Sequence, residues 1–367
     1  MSDTSHFDDM FGAAVAHAGI QESQETTAGE KKEGEKKSAD DELSKIKDNA
    51  AIGVKRKAEE KPEDSKRKKL APGLYEFHSY VAERKGERED MQDTHVLIDD
   101  FTDQFHNLPT SVHRVAYYAV FDGHCGSKAS QHAANVLHKK LISKFPRGEV
   151  SHFDKEMKRC LIDTFKQTDD EFLKQASAVK PAWKDGSTAV CVLAVDNTLY
   201  IANLGDSKAS LCRYDEEKQK YNLIPLSKEH SPSLYEERRR IQKAGGTVKD
   251  GRIMGILEVS RSIGDGRFKH CGVSCIPDVK KCQLTPKDKY ILLSCDGLWK
   301  GFTSETAMEF INQILEKEEA TSPPNSPTWK TDTDVRYETA CNKVAWEAIK
   351  RGSSDNVTVL LVRIDQR

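Results

Sequence analysis

Four apolar runs in this chain each abut an aspartate. Val115 to Phe121 leads straight into Asp122-Gly123-His124, and Leu199 to Leu204 leads through Gly205 to Asp206. Tyr290 to Cys295 stops at Asp296, followed by Gly297, while Asp355 and Asn356 stand just ahead of Val357 to Val362. Such runs read as buried strands. Strands that deliver carboxylates at their ends are costly, because clustered like charges repel unless a cation sits among them. For an all-oxygen donor set the usual cation is a hard metal, Mg²⁺ or Mn²⁺. The pattern points to a two-metal hydrolase.

The charge is unevenly spread. The 367 residues carry a net charge of only −2, so no global basic excess argues for nucleic acid. Residues 1–73 hold 14 Lys/Arg, 16 Asp/Glu and two aromatics, Phe7 and Phe11. That segment cannot bury enough apolar area to offset its chain entropy, and is expected to be a disordered tail. Residues 74–367 form the expected globular domain. Inside the tail, Lys55-Arg56-Lys57 and Lys66-Arg67-Lys68-Lys69 read as a bipartite nuclear import signal spanning 55–69, with an importin as its reader. No aromatics interleave it, so nucleic-acid binding is not expected. The nine cysteines include no Cys-x-x-Cys and suit a reducing compartment. No signal peptide or run of 18 apolar residues is found, so the expected locations are cytoplasm and nucleus, with no membrane partner.

From Tyr75 onward strand-like runs fall near 75–82, 94–99, 115–121, 187–195, 199–205, 208–213, 221–224, 289–294 and 357–364. Helical periodicity falls near 126–144, 151–175, 234–244, 304–317 and 335–350. Asp196-Asn197 between two apolar runs reads as a tight hairpin turn. Hairpins with few β-α-β units indicate a layered α+β fold with antiparallel sheets. Residues 318–334, with Pro323, Pro324 and Pro327, read as an exposed loop.

Seven motifs occur in order: Arg88-Glu89-Asp90-Met91-Gln92-Asp93, Asp122-Gly123-His124, Gly186-Ser187-Thr188-Ala189, Gly205-Asp206-Ser207, Glu258 through Asp265, Cys295-Asp296-Gly297 and Ser354-Asp355-Asn356. The series resembles the metal-dependent protein phosphatase 2C family across nearly all of 74–367. The resemblance implies a four-layer α-β-β-α sandwich, two antiparallel sheets flanked by helices. It also implies hydrolysis of phosphoserine and phosphothreonine by a metal-bridging hydroxide, with no covalent phosphoenzyme.

By the same resemblance Asp122 would bridge two Mg²⁺ or Mn²⁺ ions. The Gly123 carbonyl, Asp296 and Asp355 would complete the direct ligands, and Asp93 would act through water. Asp206 would join Asp296 at a weaker third site. Arg88 would clamp the phosphate, as a guanidinium pairs bidentately with two oxygens. His124 would be the general acid for the departing Ser or Thr oxygen. Asp265 reads equally as a turn or helix cap and as a site residue. Two positions depart from the family: Gln92 stands where many members have Glu, and Lys300 stands where many have a third-site Asp.

Other phosphate chemistries fail on the residues. His124-Cys125 would need an arginine where Gln131 stands, Asp332-Thr333-Asp334 follows a loop rather than a strand, and no phosphate-binding Gly-x-x-x-x-Gly-Lys-Ser/Thr occurs. The alternative from another class is a catalytically weak member acting as a phosphoprotein-binding scaffold. Expected partners are phosphorylated proteins, bound by a monomer, with selectivity set by surfaces near 126–132, 228–272 and 318–334. The stretch from Lys228 to Gly246 reads as a flap over the cleft or as a solvated helix.

Overall fold

Strand β3 (Val115–Phe121) is buried along its whole length, and its alternating side chains enter two different cores. Val115, Tyr117, Ala119 and Phe121 pack with helices α1 (Lys128–Lys144) and α2 (Phe153–Ala178). Ala116, Tyr118 and Val120 face the other way, into a core shared with a second sheet. A period of two with both faces apolar is what a strand needs in the middle of a layered stack.

The computed structural model describes residues 75–147, 152–317 and 330–366. The import signal at 55–69, the tail and most of the proline-rich loop lie outside the described residues. Among the described residues, two five-stranded antiparallel sheets carry the fold. One contains β2 (Thr94–Ile98), β3, β4 (Ala189–Val195), β5 (Thr198–Leu204) and β8 (Asp278–Gln283), in the order β8-β5-β4-β3-β2. The other contains β1 (Tyr75–Arg84), β6 (Lys208–Asp215), β7 (Lys220–Pro225), β9 (Asp288–Ser294) and β10 (Val357–Gln366), in the order β1-β10-β9-β6-β7. Helices α4 (Ser304–Leu315) and α5 (Asp332–Lys350) cover its outer face through Ile311, Cys341, Val344 and Leu361. Three apolar cores thus separate four layers, the α-β-β-α sandwich expected.

Most elements fall where the sequence places them. Ala129, Ala133, Leu137 and Leu141 are buried on one face of α1, with Val136 at its half-buried border. Truncating one such leucine to alanine costs about 2–5 kcal/mol. The Asp196-Asn197 turn joins Val195 to Thr198, with Asp196 in the left-handed region that Asn and Asp tolerate. Three details differ. The run at 187–195 divides at Thr188, since Gly186–Ser187 pairs with short segments at 123–124 and 263–264 instead. β8 was not expected: Lys280 and Lys281 on an edge strand hide its alternation. Helix α5 begins at Asp332, inside the expected loop, because Thr331 and Asp334 form a reciprocal capping box.

Candidate metal centre and active site

Strand register gathers the acids. Thr94 pairs with Phe121, so Asp93, just before β2, and Asp122, just after β3, leave their sheet side by side. In the other sheet Arg84 pairs with Val357 and Ser294 with Val359. The Arg88 loop, Asp355 and Asp296 therefore emerge together. β5 ends at Leu204 opposite Ala189 and delivers Asp206 through Gly205. One cavity of about 430 Å³ is lined by Arg88, Asp122, Gly123, His124, Asp206, Asp296 and Asp355. Asp93 sits behind Asp122, buried, with Thr358 Oγ1 donating to its Oδ2 at 2.7 Å.

The electrostatics of this set calls for a cation. Two like charges about 4 Å apart repel by about 4 kcal/mol at an effective dielectric near 20. Burial, then the carboxylates of Asp93, Asp296, Asp206 and Asp355, push the Asp122 carboxyl well above its usual range. Burial and neighbouring carboxylates likewise raise Asp93 to about 7, and burial and Asp296 raise Asp206 to about 7. Oxygen donors in this number fit a hard divalent ion. Cys295 Sγ also lies with Asp93 and Asp122 in a group whose ligand atoms are all within 4.8 Å. That sulfur is already engaged, accepting from Thr358 N at 3.1 Å and donating to Asn356 O at 3.4 Å. Burial and the adjacent aspartates raise its pKa well above normal, and its two bonds hold it in the packing behind the acids.

Two basic side chains reach into the acids. Arg88 Nη2 donates to Asp355 Oδ2 at 2.9 Å while its side chain stays 60% exposed. Lys300 Nζ lies 2.8 Å from Asp296 Oδ2 and also contacts Asp355 Oδ2. Burial alone would raise the Asp355 carboxyl, but Lys300, with help from Asn356 and Arg88, holds it below its ordinary value. The other departure, Gln92, turns its Oε1 toward the Gly126 N–H, at 3.4 Å.

His124 is paired. Its Nε2 lies 2.7 Å from Asp265 Oδ2, which also accepts from Ser262 Oγ at 2.6 Å. Burial opposes the charged imidazolium, but attraction and hydrogen bonding from Asp265 outweigh it, and the His124 pKa is raised. Asp265 stands at the N-cap position of the short helix Gly266–Lys269 in a left-handed turn, but its side chain makes no cap bond there and turns to His124 and Ser262 instead. Gly186 makes the pair possible: a Cβ there would lie 2.1 Å from Asp265 Oδ2 and 2.2 Å from His124 Nε2.

Other contributions were not legible. Asn356 donates from Nδ2 to Lys85 O and Asp90 O and accepts from Gln92 N, fixing the loop that carries Arg88. Gly123 and Gly297 follow Asp122 and Asp296 directly. Neither has positive φ; a Cβ on Gly123 would lie 2.3 Å from Gln92 O, and one on Gly297 1.9 Å from Asn356 O. Close approach of neighbouring backbone is their reason. Thr188 accepts from Asp122 N at 3.3 Å and bonds Ser207 Oγ at 2.8 Å.

The 228–246 stretch is anchored rather than merely solvated. Helix α3 (Tyr235–Lys243) buries Glu237, which takes Arg240 Nη1 at 2.6 Å, Ser260 Oγ at 2.6 Å and Arg261 Nη2 at 2.7 Å. Burial would raise that carboxyl, but Arg261, Ser260 and Arg240 together lower it to about 2. Arg252, Ile256, Glu258 and Arg267, farther along the same segment, form one wall of the cavity.

The family model described as Protein phosphatase 2C matches residues 77–357. A relative from Bos taurus, integrin-linked kinase-associated serine/threonine phosphatase 2C, is 56% identical over 338 residues, covering 90% of this chain and 90% of the relative. The protein of that name from Homo sapiens is 57% identical over 319 residues, covering 85% and 80%. A solved serine-threonine phosphatase 2C from Toxoplasma gondii shares the fold at a TM-score of 0.62 and 20% identity, covering 81% of this chain and 100% of that one. The chain belongs to the protein phosphatase 2C family of protein serine/threonine phosphatases.

Proposed function

We propose that the protein removes phosphate from phosphoserine and phosphothreonine in protein substrates with two Mg²⁺ or Mn²⁺ ions. Asp122 would be shared between them, with the Gly123 carbonyl, Asp296 and Asp355 as further ligands and Asp93 acting through water. The observation that carries this reading is the convergence of four aspartates from both sheets on a cavity that also holds Arg88 and His124, with Asp93 buried behind Asp122. Bound, such a metal pair supplies an oxygen nucleophile near neutral pH and neutralises the phosphoryl group.

The chain's own residues do the rest. Arg88, anchored at one nitrogen by Asp355, keeps further N–H donors for the phosphoryl oxygens. His124 has Nε2 occupied by Asp265, which leaves Nδ1 to protonate the departing serine or threonine oxygen. The Asp265 carboxylate fixes the ring and stabilises the imidazolium until that proton is delivered. Direct attack fits the site: burial, first, raises the Cys125 thiol, and Thr188 Oγ1 is engaged by Asp122 N and Ser207 Oγ.

The test is phosphate release from a phosphothreonine peptide by the purified chain as Mg²⁺ or Mn²⁺ is titrated. Turnover should need the added ion and vanish in Asp122→Asn. Full turnover after exhaustive chelation would refute the metal reading.

Partners and location follow as proposals. The relatives' names support a substrate or partner in a kinase-associated complex, and the 55–69 clusters support nuclear entry in addition to a cytoplasmic pool. Alanine at Lys66, Arg67, Lys68 and Lys69 should shift the fluorescently tagged protein to the cytoplasm; unchanged distribution would dismiss the import signal. We take the active unit to be a monomer, a point that light scattering of the purified chain decides.

A further inference from the structure

The acid cluster contains a cation of its own. Lys300 follows the short helix Asp296–Trp299, and its side chain remains 42% exposed. It has room to extend into water, yet its ammonium sits against Asp296 Oδ2 and Asp355 Oδ2. Asp355 is also held by Arg88 through that same oxygen, while its Oδ1 accepts from Asn356 N at 2.8 Å. Lys300 thus engages one oxygen of each carboxylate, so that of Asp296 leaves the second available.

The charge count gives this placement a meaning. Asp93, Asp122, Asp206, Asp296 and Asp355 bring five negative charges when ionised. Two divalent ions cover four of them, and one ammonium covers the fifth. Arg88 is then left for the incoming phosphate dianion, whose charge it partly balances. An ammonium is also a point charge with three donors on a flexible stem, able to follow a phosphoryl oxygen as well as its two anchors.

We propose that Lys300 is a built-in monovalent cation of the catalytic centre, which takes the place of a further divalent ion and limits the chain to two. The inference rests on the two-metal reading above. It has two consequences. A fixed positive charge beside the ligands weakens divalent binding, and an acid at this position admits an additional ion.

The experiment counts bound Mn²⁺ on the full chain by equilibrium dialysis, reading free Mn²⁺ by electron paramagnetic resonance. Wild type should bind two ions. Lys300→Met should also bind two, roughly tenfold more tightly, because a contacting positive charge is gone. Lys300→Asp should bind three at the same free Mn²⁺. A third ion on wild type, or a count of two for folded Lys300→Asp, overturns the proposal. Should Lys300→Asp fail to fold by circular dichroism, Lys300→Met decides, and unchanged affinity overturns it. Wild type that binds no Mn²⁺ removes the two-metal reading itself, an outcome distinct from either of these.

Discussion

His124 and Asp265 stand 141 positions apart in the chain and meet at 2.7 Å, Nε2 to Oδ2, beside the cavity that Arg88 and the aspartates line. Asp265 adopts the left-handed backbone conformation, φ 51°, which Asn also tolerates, so Asp265→Asn changes charge with little backbone cost. If His124 protonates the leaving oxygen, the effect must depend on how much the leaving group needs that proton. Turnover of a phosphothreonine peptide should fall about 10²–10³-fold. Turnover of 4-nitrophenyl phosphate, whose phenolate leaves unaided, should fall far less. Equal losses on both substrates would show that Asp265 serves only the fold.

Gly186→Ala tests the same pair sterically. The added Cβ would collide with both Asp265 Oδ2 and His124 Nε2. Peptide turnover should drop at least as far as in Asp265→Asn, while Mn²⁺ stoichiometry stays that of wild type. A variant with normal turnover would mean that the pair can shift without consequence.

Glu237 gives a pH dependence remote from the acids. Its carboxyl has an ordinary value of 4.5 and is held near 2 in the native state by Arg261, Ser260 and Arg240. The depressed value stabilises the fold at any pH above the unfolded-state pKa, and the contribution fades as pH falls from about 4.5 toward 2. Its size is on the order of 3 kcal/mol. Urea unfolding should show Glu237→Gln destabilised at pH 7 and the gap to wild type closing between pH 4.5 and 2. A gap independent of pH would assign the loss to packing.

Asp122 sits among repelling neighbours, and repulsion released by its removal should stabilise the chain. In chelator, Asp122→Asn should melt roughly 2–4 °C above wild type, while activity in saturating Mn²⁺ falls to background. A lower melting temperature in chelator would mean that Asp122 is satisfied by contacts other than a cation.

The apolar runs made the strands and their terminal aspartates visible, because seven consecutive buried side chains permit few alternatives to an inner strand. β8 escaped notice because an edge strand needs only half a face, and Lys280 and Lys281 mask it. The acid cluster was legible for the same reason as the strands: Asp122, Asp206 and Asp296 each terminate one. The pairing of His124 with Asp265 was not, since nothing local links residues so far apart. Nor was the need for glycine at 123 and 297, which lies in backbone arriving from Gln92 and Asn356.

Strand β10 lies between β1 and β9, and Asp355, just before it, is 267 positions from the Arg88 it holds. During synthesis the ribosome completes the Arg88 loop, Asp122 and His124 long before it reaches Asp355. A chain made only as far as Cys295 consequently carries most of the catalytic groups without an assembled site, since an inner strand of one sheet and an expected ligand are still to come.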